Sequence, residues 1–284
     1  MRMKNLILLL LVFVCTLGAV AQAPPAPQSL TFWYEYWIKP GKEAAFTDLI
    51  KQVGAPVRDK AMADGVVQAW GMEHPLLRNS ANGTHLIWFN VKDWAGVEKV
   101  QNAMAAQLAR IAADEAKAAP GKKTGMTTAE RSRDIIDVAK TRDWLTRDLV
   151  SGFSEAMPPA GYLPYTRYNF IKVKPGKGSD YRQTWEKYNK PVLDKLLKDG
   201  AIDAYGLAVE EVRTEGTWTH FVWIGMKDLS GLDKLRTAFT ADREARSAEE
   251  QRMISETFNN LTDGDANRQM VTHSSIFKLP EMKK

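Results

Sequence analysis

The sequence predicts an α+β fold made of two successive units with the order β-α-β-β-α-(α)-β, the ferredoxin-like arrangement. Three features of the 284-residue chain lead to this prediction. One stretch of sequence recurs in a constant register. Short segments rich in aromatic and β-branched residues, typical of strands, alternate with apolar stripes of helical spacing. The same start and stop signals for helices occur in both halves.

The recurrence is clearest at Lys39–Lys42, whose Lys-Pro-Gly-Lys returns at Lys174–Lys177, 174 − 39 = 135 positions later. The same displacement places Pro56 on Pro191, Asp59 on Asp194, Gly65 on Gly200, Gly71 on Gly206, His85 on His220 and Trp88 on Trp223. The register holds without a gap from about residue 30 to residue 104. Because chance does not maintain one register over such a distance, we interpret the chain as an internal duplication.

Farther along the chain the displacement becomes shorter. Thr127-x-x-Glu130 and Ser247-x-x-Glu250 are both typical of a capping box at the start of a helix, and 247 − 127 = 120. The first unit is therefore predicted to carry 135 − 120 = 15 extra residues before this helix. The loop Pro120–Gly125, rich in glycine and lysine, is the expected position of most of them.

Runs of aromatic and β-branched residues predict four strands in each unit. In matched pairs they are Trp33–Ile38 and Tyr165–Val173, Val66–Glu73 and Ala201–Val209, His85–Val91 and His220–Met226, and segments near Arg147–Phe153 and Met270–Lys278. Helical spacing is shown by Phe46, Leu49, Ile50, Val53 and Val57 in the first unit and by Tyr181, Trp185, Tyr188, Val192 and Leu196 in the second. We expect Pro56 and Pro191 to kink these helices or mark a restart, and Gly65 and Gly200 to end them.

These features together resemble the dimeric α/β-barrel superfamily, with its NIPSNAP-like and antibiotic-biosynthesis-monooxygenase-like families nearest. The resemblance lies in an aromatic first strand that runs into Lys-Pro-Gly-Lys, a helix that ends in Asp-Gly, and a third strand of the form Thr-His-φ-φ-Trp. It covers essentially all of residues 30–280. It implies that the two ferredoxin-like repeats pack sheet against sheet as an intrachain pseudo-dimeric α/β barrel with a cavity between them.

The first residues predict export. Arg2 and Lys4 precede an apolar run from Leu6 to Leu17, and small residues follow as far as Ala23, the pattern of a cleaved signal peptide. We therefore predict a signal peptide at 1–23, a Pro-rich tether at 24–29, a first repeat at 30–157 and a second repeat at 158–284. The mature protein is expected to be periplasmic or secreted.

Composition excludes several classes of function. The single cysteine, Cys15, lies within the predicted signal peptide, so the mature chain is expected to have no disulfide, thiolate nucleophile or cysteine metal ligand. Its net charge falls from +5 to +3 without Arg2 and Lys4, too low to indicate a nucleic-acid partner. The chain lacks H-E-x-x-H, C-x-x-C and G-x-S-x-G motifs. The charged, alanine-rich late helices are candidate docking surfaces for a second copy.

The matched histidines His85 and His220 are the first candidates for catalytic residues. Two quasi-symmetric imidazoles could act as acid and base near neutral pH. The alternative is that both are strand-end histidines bonded to nearby backbone and retained because the unit was copied. We predict no metal site because a metal needs about three protein ligands and no further ligand stands at suitable spacing. No cofactor is predicted from the residues. The resemblance adds haem as an alternative, with His220 or His273 as the iron ligand.

Aromatic and polar residues of the strands are the candidate ligand-binding residues. They are Trp33, Tyr34, Trp70, Trp88, Tyr168, Asn169, Tyr205 and Trp223, with the matched loop residues Arg78 and Arg213 as partners for an anionic group. The same aromatic residues are equally typical of a sheet core. Glu35 stands among aromatic residues where the second unit has Phe170, so it is a further candidate base.

Three functions remain open at this stage. The first is an exported barrel that binds a small, largely apolar ligand between its two repeats. The second is an enzyme, either a cofactor-free monooxygenase-like protein or a haem-dependent one, with His85, His220 or Glu35 as the acid–base group. The third is a structural or interaction module with a solid interior. A cavity, and the side chains that face it, would separate these readings.

Overall fold

A computed structural model describes residues 28–78, 80, 82–117, 125–154, 163–214 and 217–279. The predicted signal peptide, most of the tether and residues 120–124 of the predicted loop lie outside this part of the chain.

The chain forms eight strands and seven helices in the described residues, and the order is the same in each half except that one helix after the first strand corresponds to two in the second half. The first half contains β1 (Leu30–Tyr36), α1 (Glu43–Ala63), β2 (Val67–Pro75), β3 (His85–Val91), α2 (Trp94–Lys117), α3 (Thr128–Ile135) and β4 (Arg142–Phe153). The second half contains β5 (Tyr165–Val173), α4 (Gly178–Tyr188), α5 (Lys190–Lys198), β6 (Ala204–Glu210), β7 (His220–Met226), α6 (Ser230–Glu244), α7 (Ala248–Leu261) and β8 (Thr262–Lys278).

The strands close into one barrel in the order β1-β3-β2-β8-β5-β7-β6-β4, and every neighbouring pair is antiparallel. The last strand of each half joins the two halves. β4 pairs with β1 of its own half and with β6 of the other, and β8 pairs with β5 and with β2. Closure removes the exposed sheet edges that two separate four-stranded sheets would present.

Both joining strands begin earlier than the sequence predicts, at Arg142 and Thr262. Each has a β-bulge where it pairs with the other half, at Asp148–Val150 in β4 and opposite the Met72–Glu73 step of β2 in β8. The register of β8 shifts a second time opposite Phe170–Lys172 of β5. A bulge interrupts the alternation of inward and outward residues, so a period-two pattern does not continue along the whole strand.

The two prolines act differently in the first helices. Pro56 lies within α1, which continues through it, whereas Pro191 is at the start of α5 and separates it from α4. Gly65 and Gly200 follow the helices with φ of +74° and +64°, the left-handed backbone that favours glycine. Both predicted capping boxes are confirmed, with Thr127 and Ser247 each accepting the N–H of the glutamate three residues on.

The barrel has two kinds of buried face. Outward residues of the strands pack beneath the helices in two clusters in the first half and one in the second. Inward residues form a fourth cluster around Trp33, Trp144 and Phe221. None of the helices in the described residues has the length and apolarity needed to cross a bilayer.

Candidate functional site

Aromatic rings fill the middle of the barrel. Trp33 of β1 stacks on Trp144 of β4 with ring centres 4.9 Å apart, and the rings of Tyr168 and Phe221 meet Trp33 edge-on at 5.8 Å. The Trp33 indole N–H donates to the Thr146 hydroxyl at 3.1 Å, which fixes the ring. The barrel centre is therefore a packed core, and any ligand space must lie toward an end.

One end of the barrel contains a cavity of about 330 Å³ above this packed layer. A cavity of this size suits a small organic molecule. Its walls are mostly apolar, and its lining includes Thr31, Trp33, Ala69, Glu73, Trp88, Asn90, Asp148, Phe153, Leu163, Tyr168, Phe221, Trp223 and Phe277. Two carboxyl groups, those of Glu73 and Asp148, face this mostly apolar space.

Glu73 of β2 is the buried polar centre of the cavity. Its carboxylate accepts hydrogen bonds from the Trp88 indole at 2.8 Å, from the Tyr168 hydroxyl at 2.9 Å and from the Thr272 hydroxyl at 2.5 Å. Four strands are thereby joined through one side chain. Burial raises the pKa of the Glu73 carboxyl group, and the three donors oppose that shift.

Asp148 of β4 is the second carboxyl group and retains partial exposure. It accepts the Ser29 hydroxyl at 2.8 Å and is also hydrogen-bonded by Trp223. Burial raises the pKa of the Asp148 carboxyl group, and these two donors lower it by less. Each of the matched tryptophans, Trp88 and Trp223, thus holds one carboxyl group of the cavity. At neutral pH, Asp148 is the more accessible proton acceptor of the two.

Two glycines leave room for these indole rings. A methyl group on Gly71 would stand 2.8 Å from the Trp88 ring and 2.9 Å from the Ile276 carbonyl oxygen, and one on Gly206 would overlap the Trp223 ring. We therefore expect Gly71→Ala to destabilise the protein by about 1–3 kcal/mol, because an inserted methyl group must displace packed atoms. Thermal unfolding measures the loss. The control, Gly264→Ala, adds its methyl group to open space and should leave the unfolding temperature nearly unchanged.

The structure brings four of the predicted ligand-binding residues to the cavity: Trp33, Trp88, Tyr168 and Trp223. Tyr34, Trp70, Asn169 and Tyr205 lie on the opposite, outward face, because consecutive strand residues alternate. Trp70 donates to Asp59 at 2.9 Å, and Tyr205 donates to Asp194. These matched contacts tie a strand to a helix in each half, so their role is structural.

The paired histidines also lie on the outward face. The Nδ1 atom of His85 lies 3.1 Å from the Thr84 hydroxyl oxygen, and that of His220 lies 2.9 Å from the Thr219 hydroxyl oxygen. Their rings pack against Phe46 and Tyr181, respectively. Burial lowers the pKa of both imidazoles to about 4, so both are neutral at pH 7. The partner of each histidine is thus the side-chain hydroxyl of the preceding threonine, where the alternative reading expected a backbone partner.

The remaining predicted residues lie away from the cavity. Arg78 is exposed in the β2–β3 loop, 3.7 Å from Glu43, and Arg213 is exposed in the matching loop. Glu35 is buried inside the barrel, but toward the end away from the cavity, where the Gly83 N–H donates to it at 2.6 Å.

The cavity residues do not fit haem. His220 lies under the second-half helices, and His273 faces His74 and Tyr165, with ring centres at 5.3 and 5.2 Å. Neither lines the barrel cavity. The described residues also contain no cluster of three or more histidine, aspartate or glutamate side chains arranged to hold a metal ion.

Glu73 and Asp148 are not among the residues singled out by the sequence. Each lies within or at the end of a predicted strand. The sequence feature that could have identified them is an acidic residue at an inward-facing strand position. Glu73 is matched by Ala208 in the second unit, so the repeat offered no paired carboxylate to notice. The bulge at Asp148 further obscured which of its neighbours point inward.

Comparison with known proteins identifies the fold. Neither a protein-family model nor a curated protein sequence matches the chain. Among solved structures, a candidate monooxygenase from Fusobacterium nucleatum subsp. nucleatum superposes with a TM-score of 0.55 at 11% identity, covering 89% of this chain and 95% of that chain.

A candidate monooxygenase from Lactobacillus acidophilus gives a TM-score of 0.54 at 8% identity, with coverage of 89% and 97%. An anthrone oxidase-like protein gives 0.52 at 11% identity, with coverage of 92% and 96%. Identities this low establish similarity of fold only. The chain therefore has the α+β barrel fold of these proteins, closed here within a single polypeptide.

Proposed function

We propose that the barrel cavity binds a small aromatic molecule and that the protein is a cofactor-free, monooxygenase-like enzyme. The observation that carries this proposal is the pair of carboxyl groups, buried Glu73 and partly exposed Asp148, in a mostly apolar cavity. Apolar walls with a few placed polar groups are typical of ligand sites. Three structural neighbours described as monooxygenases or as anthrone oxidase-like support the choice of chemistry.

The proposed substrate is an aromatic ketone with an acidic methylene group, as in an anthrone. Asp148 accepts a proton of this group, because it is partly exposed and its raised pKa makes it a stronger base than an ordinary aspartate. The substrate anion then reduces O2: one oxygen atom enters the methylene carbon as a ketone, and the other leaves as water. The Trp88 and Trp223 rings hold the substrate plane, and Glu73 keeps the cavity floor in place.

Oxygen uptake with 1,8-dihydroxyanthrone tests this role. Asp148→Asn should lower turnover by about 100-fold or more, because it removes the general base, while affinity measured by tryptophan fluorescence changes much less. The matched control is Asp143→Asn, which alters an outward-facing aspartate of the same strand. Equal turnover in Asp148→Asn and wild type would exclude Asp148 as the base.

A passive ligand-binding role is the second candidate function. It is favoured by the hydrogen bonds from Trp88, Tyr168 and Thr272, because a carboxyl group held by three side chains of the barrel supports the cavity wall and need not react. Saturable binding of 1,8-dihydroxyanthrone without oxygen uptake by the wild type would support this candidate over the enzyme.

We further propose that the chain is an exported member of the NIPSNAP-like or antibiotic-biosynthesis-monooxygenase-like group, built from repeats at 30–157 and 158–284. Supporting features are the 135-residue displacement in the sequence and the nearly identical order of elements in both halves. Export to the periplasm or medium, after cleavage near Ala23, is tested by the N-terminal sequence of the secreted protein. Sedimentation tests the proposed homo-oligomer.

A further inference from the structure

A second, larger space lies outside the barrel in the second half. It is a groove of about 730 Å³ between the outward face of β5, β7 and β8 and the helices α4 and α6. Its floor is apolar and includes Trp185, Leu193 and Phe239. Arg167, Arg236 and Arg243 also line it, so an apolar floor is combined with a cationic border.

Arg167 is the informative member of this set. Its side chain is half-buried, and its guanidinium donates only to amide oxygens, those of Asn169 at 3.2 Å and Gln269 at 3.0 Å. No carboxylate of the described residues lies within ion-pair distance of it. Burial lowers the pKa of the Arg167 guanidinium, because removal from water disfavours its charged form. Partly buried cations in proteins are ordinarily paired with an anion, so Arg167 is well placed to bind one.

Other polar groups of the groove are also unused. The Tyr181 side chain is 3% exposed, and its hydroxyl makes no hydrogen bond to a described residue, although the ring lines the groove. Arg243 is exposed and has no ion-pair partner in the described part of the chain. Arg236, by contrast, is 3.3 Å from Asp233, the one acidic residue of the lining. The border therefore keeps a net positive charge.

The first half fills the corresponding space with its own side chains. The residues 135 positions before Arg167, Asn169 and Leu193 are Phe32, Tyr34 and Arg58. There the Phe32 and Tyr34 rings lie 4.9 Å apart, and the Arg58 guanidinium lies 5.6 Å from the Tyr34 ring centre. The second half thus has an arginine and an amide on its outward sheet face where the first half has two aromatic rings.

We propose that this groove binds an amphipathic organic carboxylate, such as a fatty acid. The carboxylate pairs with Arg167, and Arg243 adds positive charge to the border of the groove. The apolar body lies on Trp185, Leu193 and Phe239. Arginine forms bidentate contacts with carboxylates, so the cationic border suits the carboxylate of the ligand. The apolar floor suits its hydrocarbon chain, because burial of that chain is favourable.

Calorimetric titration with dodecanoate, and with dodecanol as the uncharged analogue, tests the proposal. Wild-type protein should bind dodecanoate at least about tenfold more tightly than dodecanol, because a charge-assisted pair is worth about 1.5–3 kcal/mol. Arg167→Gln should remove this preference by weakening dodecanoate alone. The control, Arg182→Gln, changes an arginine of α4 that pairs with Glu186 outside the groove, and should bind as wild type.

Several results would overturn the proposal. They are absence of dodecanoate binding, equal binding of the alcohol, or wild-type affinity in Arg167→Gln. Thermal unfolding checks that Arg167→Gln is still folded. Removal of an unpaired charge should not lower the unfolding temperature of the ligand-free protein. If the wild-type protein sediments as a dimer and Arg167→Gln sediments as a monomer, a second copy of the chain covers the groove instead. Asp148→Asn, which alters the barrel cavity, should bind dodecanoate normally.

Discussion

Replacement of Glu73 by alanine is expected to lower the free energy of unfolding by about 3–5 kcal/mol, the largest effect of any single substitution considered for this protein. The carboxylate accepts hydrogen bonds from Trp88, Tyr168 and Thr272, all inside the barrel. Alanine leaves these donors without their acceptor and away from water. The Thr272 hydroxyl can turn to the Thr166 carbonyl oxygen at 3.2 Å, but the Trp88 indole cannot reorient so easily.

Urea unfolding at neutral pH measures this loss. Glu98→Ala is a suitable control, because Glu98 is exposed on α2 and its removal should change stability by less than about 0.5 kcal/mol. If Glu73→Ala were as stable as Glu98→Ala, the hydrogen-bonded centre described here would not exist in solution. Because Glu73 joins four strands, the variant should also lose the cavity and bind aromatic ligands poorly.

Acid is expected to destabilise the protein steeply between pH 6.5 and pH 4 through His85 and His220. Burial lowers the pKa of both imidazoles from 6.5 to about 4 in the folded protein. The unfolded chain therefore takes up protons first as the pH falls, and folding stability decreases. Linkage gives a loss of about 3 kcal/mol for each ring over this interval. The contribution of the two neutral histidines to folding stability is fully present above pH 6.5.

The double variant His85→Asn, His220→Asn separates this contribution from other titrating groups. An asparagine amide can retain the contact with the neighbouring threonine but does not titrate. We expect lower stability at pH 7 and a much flatter dependence of unfolding temperature on pH. Val222→Ala, on the same outward face of β7, should lose stability at every pH with an unchanged slope. A double variant as acid-sensitive as wild type would contradict the buried, neutral assignment.

Local rules predicted most of the fold. The third strands, His85–Val91 and His220–Met226, have the bounds expected from sequence, because their alternation is uninterrupted. The helix ends at Gly65 and Gly200 follow from the need for a left-handed residue there. Strand alternation also places Leu86 and Trp88 on one face and His85 and Ile87 on the other, although it does not say which face closes the barrel.

The missing information concerned long-range pairing. The early residues of β4 and β8 belong to strands only because β1 and β5 pair with them, and nothing local marks Arg142 or Thr262 as a strand start. Both carboxyl groups of the site belong to the first half, Glu73 where β2 pairs with β8 and Asp148 where β4 pairs with β6. Tyr168, Phe221 and Trp223 of the second half join them in one cavity only because the barrel closes, which a single unit does not encode.

The most direct test of the barrel site is a crystal structure of the protein soaked with 1,8-dihydroxyanthrone. The proposed function predicts a ring system inside the barrel beside Trp88 and Trp223, with a polar atom within hydrogen-bond distance of Asp148. Electron density for the compound only in the outer groove over Arg167, or nowhere, would contradict it.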